Sequence, residues 1–276
     1  MATIDAPAAT GDTAAKPVDQ LWLGRNASKA VTALQYLWFM TVTLGLKAIN
    51  LTVPRRFSLV EITPFIDPTQ FEWHEHITSE MSKVQAELKT LLSAPEIIPN
   101  HQDIIETIAS ISNDDKWLSY FFYIYGRRFD KQCNECPDTA RLLQNIPGMK
   151  TAFFSILSPG KTIPPHRGPY QGVMRYHLPL LVPQHGECGI RVGDQTASFH
   201  EGVALMFDDT YEHEVWNQTE ETRVVLFLDI MRPMKFPFNK FNSAMMALMG
   251  KSPVVRRMQK RQAAFDRTLA DRRVYP

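Results

Sequence analysis

After Pro147-Gly148 the chain becomes a succession of short segments that alternate apolar and polar residues: "KTAFFSIL", "GVMRYHLPLLV", "CGIRV", "TASF", "VALMF", "HEVW" and "RVVLFLDI". Ser158-Pro159-Gly160, Gly193-Asp194 and His200-Glu201-Gly202 punctuate them. A two-residue period sends successive side chains to opposite faces of a strand. So many strands with so little chain between them bury their apolar faces only as a sandwich or barrel. The pattern predicts a mainly β protein whose catalytic-sized β-domain covers residues 151–235.

The remainder frames that domain. Residues 57–150 read as a helical or mixed front section. Phe71, Ile77, Met81, Val84, Leu88 and Leu91 recur at helical spacing over Asp67 to Leu92. The aromatic run in 112–129 predicts a strand feeding the core, and Pro137 opens a short helix over 136–146. His74 and His76 stand two apart, a spacing that does not put two ligands on one helix face, and are expected to be solvated. Residues 1–20, rich in Ala, Thr, Pro and Asp, read as a disordered tail. Residues 21–56 hold an uncharged run, 30–46, that as a helix is about 25 Å long, short of the roughly 30 Å of bilayer hydrocarbon. A buried or membrane-interfacial helix is the expectation there, with a true span as the alternative. Residues 236–276 form a basic amphipathic helical tail, which packs on its own domain or meets an anionic membrane surface.

Charge and cysteine content narrow the function classes. A net charge of +1 leaves no overall field to recruit nucleic acid. Three cysteines, two of them in Cys133-Asn134-Glu135-Cys136, make neither a disulfide framework nor a structural zinc site, and point to a reducing cytoplasm.

Alternation then shows which polar groups share a face with the core. Val173, Arg175, His177, Pro179 and Leu181 point one way, as do Arg223, Val225, Phe227 and Asp229, and as do Phe153, Ser155 and Leu157. A barrel interior holding Ser155, Arg175, His177 and Arg223 is an anion site, because buried guanidinium groups are tolerated only when paired. Structural ion pairs with Glu187 or Asp229 are the other reading. His166 and His213, 47 positions apart, are candidate metal ligands brought together by the fold. Non-haem iron oxygenases use two histidines and usually a carboxylate. The carboxylate commonly stands two residues after the first histidine, and here that position is Gly168. Asp208 and Asp209, just before His213, are possible sources of a carboxylate ligand or of an outer acceptor.

The segments "SILSPGKTIPPHRGPYQGVMRYHLPL", "CGIRVGDQTASFHEGVALMFDDTYEHEVWN" and "RVVLFLDIMRP" resemble the aspartyl/asparaginyl β-hydroxylase family of Fe(II)- and 2-oxoglutarate-dependent dioxygenases. The resemblance runs from about Asp114 to Pro233, a little under half of the chain. It implies a double-stranded β-helix, the jelly-roll or cupin-like fold, here with helical N-terminal and C-terminal extensions. It implies iron held by His166 and His213, and 2-oxoglutarate contacted by Ser155, Arg175, His177 and Arg223, with dioxygen as the oxidant. The family's peptidyl members also carry glycine where this chain has Gly168, whereas related lipid A acyl-chain hydroxylases typically keep aspartate. The resemblance therefore implies hydroxylation of an aspartyl- or asparaginyl-type side chain of a peptide or protein. Hydroxylation of a membrane lipid acyl chain, or a non-catalytic cupin-like binding role, are the alternatives.

Overall fold

The fold is that of a computed structural model, which describes residues 45, 49, 50, 52–54, 56–105, 112 and 114–274. The expected tail at 1–20 and, apart from Gly45, the apolar run at 30–46 lie outside the described residues. Among the described residues no helix is long and apolar enough to cross a membrane.

The elements are β1 (Phe65–Ile66), α1 (Glu72–Ser79), α2 (Met81–Leu92), α3 (His101–Ile104), β2 (Trp117–Ile124), β3 (Arg127–Arg128), α4 (Asp130–Glu135), α5 (Pro137–Gln144), β4 (Met149–Leu157), β5 (Lys161–His166), β6 (Val173–Leu181), β7 (Cys188–Val192), β8 (Gln195–Ser198), β9 (Leu205–Phe207), β10 (His213–Asn217), β11 (Arg223–Met231), α6 (Phe238–Gly250) and α7 (Pro253–Val274). Two antiparallel sheets contain the strands, in the orders β1-β9-β6-β11-β4-β2-β3 and β5-β10-β7-β8. Strands β4 to β11 pass back and forth between the sheets in the manner of a jelly roll, so the double-stranded β-helix implied by the resemblance is the fold.

Both faces of the larger sheet are covered, and alternation assigns each residue to one of them. Tyr120, Phe122, Phe154, Ile156, Tyr176, Leu178, Leu226 and Leu228 form one core with α1, α2 and α5. Trp117, Phe121, Phe153, Leu157, Val225 and Phe227 face the smaller sheet, whose Ile163, Ile190, Val192 and Val215 complete a second core. The interior between the sheets is therefore apolar by default, and every polar side chain aimed into it needs a partner.

Two details differ from the sequence reading. β1, β2 and β3 come from the front section and extend the larger sheet, and the described residues belong to one compact unit. The change of periodicity near residue 150 is thus not an edge between two bodies. His74 is not solvated: it is half-buried, and its Nδ1 lies 2.9 Å from the Tyr176 hydroxyl. The helix that carries it also ends at Ser79, with Glu80 alone between it and α2.

Candidate functional site

The two imidazoles meet because β5 and β10 are neighbours. His166, the last residue of β5, and His213, the first of β10, are directly paired across the ladder. Their ring centroids lie 4.1 Å apart. Each ring is anchored in the same way: His166 Nδ1 donates to Pro164 O at 2.8 Å and His213 Nδ1 to Tyr211 O at 3.0 Å. With the proton fixed on Nδ1, the lone pair of each ring is on Nε2, the tautomer a metal ligand requires. His213 Nε2 already serves as an acceptor, 3.3 Å from Arg175 Nη1. Burial is the main cause that drives both rings down to about 3, so they are neutral at ordinary pH.

Beside this pair, one cation faces two carboxylates. Arg175 Nη2 lies 3.1 Å from Asp209 Oδ2, and its Nε lies 3.5 Å from Asp229 Oδ1. Burial lifts the Asp229 carboxyl to about 6 against the pull of Arg175. Asp209 is also buried, and its Oδ1 has no hydrogen-bond partner. The charge left over at this end is negative, next to two neutral imidazole donors. That combination suits a divalent cation. Among the described residues no cluster of three or more His, Cys, Asp or Glu side chains has the geometry to hold a metal.

At Gly168 the space that a side chain would occupy is already taken. A Cβ at this position would stand 1.9 Å from Asp209 Oδ2 and 2.2 Å from its Cγ. The Asp209 carboxylate fills the space from the loop before β10, and Asp209 O accepts from Gly168 N at 2.7 Å. Its neighbour Asp208 holds that loop in place. Asp208 and Arg232 form an ion pair at 2.7 Å with both side chains fully buried. Asp208 also accepts from Thr210 and Gln171, and Arg232 donates to Gln171 O.

The other end of the interior has the opposite imbalance. Arg223, the first residue of β11, is 1% exposed, yet among the described residues no carboxylate pairs with it. Its Nε and Nη1 have no hydrogen-bond partner, and it lies over the Phe199 ring at 4.8 Å. Burial pulls its guanidinium down to about 10. His177 is buried with both ring nitrogens unpartnered, and it interacts electrostatically with Arg223, Arg175 and His213. Ser155 Oγ accepts from Trp117 Nε1 at 3.0 Å, which leaves its own proton free to donate. The ladder aligns these residues along one face: Ser155 opposite Val225, His177 opposite Phe227 and Arg175 opposite Asp229.

All six residues singled out in the sequence therefore line one interior. Of the ion pairs weighed for the arginines, Asp229 pairs with Arg175, while Glu187 is exposed. Asp209 was named in the sequence as a source of a carboxylate or an outer acceptor, but its place against Gly168, and that of Trp117 behind Ser155, were not legible. The double acid ahead of His213 was the one available signal for the first.

Comparison with known proteins places these observations in context. Residues 78–233 match a family model described as aspartyl/asparaginyl beta-hydroxylase. An ornithine lipid ester-linked acyl 2-hydroxylase of Rhizobium tropici is 36% identical over 254 residues, covering 92% of this chain and 89% of that protein. A human aspartyl/asparaginyl beta-hydroxylase is 35% identical over 126 residues, 44% of this chain but 16% of its own length. Among solved structures, a cupin domain from Schizosaccharomyces pombe superposes with a TM-score of 0.30 at 9% identity, over 46% of this chain and 71% of that one.

Proposed function

We propose, from the premise that this chain belongs to the aspartyl/asparaginyl β-hydroxylase family and is a hydroxylase, that it works with Fe(II) and 2-oxoglutarate and that its substrate is a lipid acyl chain. The observation that carries the cofactor reading is Arg223, a buried guanidinium with no counterion and two unpartnered nitrogens. Such a charge is stable inside a protein only if an anion joins it. His177 and Ser155 add a buried acceptor or donor and a free hydroxyl proton beside it, the inventory that a carboxylate uses. At the other end, His166 and His213 present two Nε2 lone pairs to a metal, with Arg175 positioned for a carboxylate on the metal side. The residues thus fit a dication and a dicarboxylate held end to end.

When bound, iron with 2-oxoglutarate and dioxygen supplies the oxidising power that no side chain has, so that a C–H bond becomes C–OH while 2-oxoglutarate leaves as succinate and carbon dioxide. The chain's own contribution is positional and electrostatic. His166 and His213 hold the metal through rings locked by backbone carbonyls. Arg223 fixes the far carboxylate, and Arg175, held by Asp209 and Asp229, steadies the near one. The aromatic walls, Phe199, Phe207 and Phe227, surround His177 and keep water away from these charges.

The lipid reading is supported by the breadth of the match to the acyl hydroxylase, which extends well outside the β-domain, whereas the match to the human protein is confined to 126 residues. Gly168 no longer favours a peptide, because the space beside it is filled by Asp209. The aspartyl or asparaginyl side chain remains the second reading, resting on the family match over 78–233. Lipids extracted from cells with and without the active protein separate the two. A gain of one oxygen on acyl chains is expected, and unchanged lipids alongside a hydroxylated peptide overturn the proposal. Purified protein given Fe(II), ascorbate and 2-oxoglutarate is also expected to release succinate. No succinate with any substrate tested would favour a binding protein.

Arg223→Ala tests the cofactor assignment directly. Removing one member of a desolvated charge pair costs at least ~2 kcal/mol, so the 2-oxoglutarate concentration for half-maximal rate is expected to rise by about 30-fold or more. An unchanged requirement removes Arg223 from the site.

A further inference from the structure

The tail that follows the β-domain is two helices of different character. α6 carries Lys240 as its one charged residue, and Phe241, Ala244 and Leu248, at spacings of three and four, are exposed. Leu248 is 65% exposed, and Phe236, just before the helix, is 80% exposed. α7 carries seven Arg or Lys against Asp266 and Asp271. Asp266 faces inward, accepting from Gln132 at 2.7 Å and Gln262 at 3.2 Å. Arg257, Lys260 and Arg267 lie along one face of α7 and, with Arg127, the first residue of β3, and with Ala263 and Ala264, line a concavity of about 590 Å³. Among the described residues no carboxylate forms an ion pair with any of these four cations.

Contacts with the β-domain anchor both helices. At the end of α6, a Cβ on Gly250 would stand 3.4 Å from Tyr125 O, and Arg127 follows two residues later at the start of β3. Asn242, near the start of α6, donates to Gly172 O at 2.8 Å and accepts from the Tyr170 hydroxyl at 2.9 Å, which ties the helix to the loop following His166. On its inner side α7 supplies Val255 and Met258 to the core between the sheets.

We infer that α6 and α7 together form a docking surface for an anionic lipid bilayer. Cations without carboxylate partners beside small residues suit phospholipid headgroups, and a helix with a single charge that exposes Phe and Leu suits the boundary with the acyl chains. Membrane-surface helices combine these two elements. The inference does not depend on the hydroxylase reading, because it concerns attachment and not turnover.

Vesicle co-sedimentation of the full chain tests it. The protein is expected to bind vesicles of phosphatidylcholine mixed with phosphatidylglycerol, to bind pure phosphatidylcholine weakly, and to be released by high salt. Each cation near the surface contributes about 1 kcal/mol, so removing two of them with R257E/R267E is expected to weaken binding by about 30-fold, and more once the introduced repulsion is added. Both positions are exposed, and an unchanged circular dichroism melt confirms the fold. L248S on α6 is expected to weaken binding on its own while leaving the salt dependence intact. The run at 30–46 is present in all variants, so its own contribution cancels. Equal binding to neutral and anionic vesicles, or full retention by R257E/R267E, overturns the inference. So does capture of RNA in place of vesicles.

Discussion

Replacing His213 by alanine is expected to abolish turnover and to weaken Fe(II) binding by more than about 100-fold, and His166→Ala is expected to do the same. Groups that only orient metal ligands cost roughly 10–100-fold when changed, and these two rings are the ligands themselves. With no third protein donor clustered beside them among the described residues, neither variant has a substitute there. Asp209 does not step in, because its Oδ2 is held 3.1 Å from Arg175 Nη2 and its loop is tied down by the buried Asp208–Arg232 pair. Anaerobic titration of Fe(II), followed by tryptophan fluorescence or the visible absorption of the 2-oxoglutarate complex, measures the loss independently of turnover. Retention of iron within tenfold of the parent would mean that the paired imidazoles serve another purpose. Folding is a weak confounder: alanine gives up the hydrogen bond to Tyr211 O or Pro164 O, worth about 1 kcal/mol, and the remaining six residues of the β5–β10 ladder are untouched.

The same pair shows what a sequence can and cannot convey about such a site. Alternation placed Ser155, Arg175, His177 and Arg223 on faces shared with apolar residues, and the sheets confirm each assignment, because a period of two leaves no freedom once the strand exists. His166 and His213 could be named as candidate ligands from their contexts, but only the resemblance joined them as a pair: the 46 residues between them carry no local signal that β5 and β10 are neighbours. Long-range pairing also hid the role of β2. Its aromatic run read as a strand, but its place beside β4 in the larger sheet, where Trp117 supports Ser155, is a property of topology. Helix interruption at Glu80 and the contact between His74 and Tyr176 escaped for the complementary reason. Helical periodicity fixes which face is apolar, while burial of a polar residue at the border of that face is decided by whatever packs against it.

Gly168→Ala is expected to damage the site more than a single methyl group normally would, and a second substitution is expected to cancel most of the harm. The added Cβ would sit 1.9 Å from Asp209 Oδ2, so one of the two must move. Backbone at residue 168 has little freedom, because its N–H donates to Asp209 O at 2.7 Å. The carboxylate yields instead, and in doing so it leaves Arg175, which in turn contacts His213 Nε2. Overpacking of this kind costs typically ~1–3 kcal/mol, and disturbance of groups that orient a metal ligand costs roughly 10–100-fold in activity or affinity. Asp209→Ala removes the colliding atoms and leaves Arg175 with Asp229 alone. In that background Gly168→Ala is expected to be nearly neutral for stability, so that the double-mutant cycle, read by chemical denaturation, yields a coupling of ~1–3 kcal/mol between two residues 41 positions apart. Additive costs would have a different meaning: the backbone at 168, and not the carboxylate of Asp209, would be what forbids a side chain there. The position where related iron sites carry their acid would then be empty for a reason unrelated to Asp209.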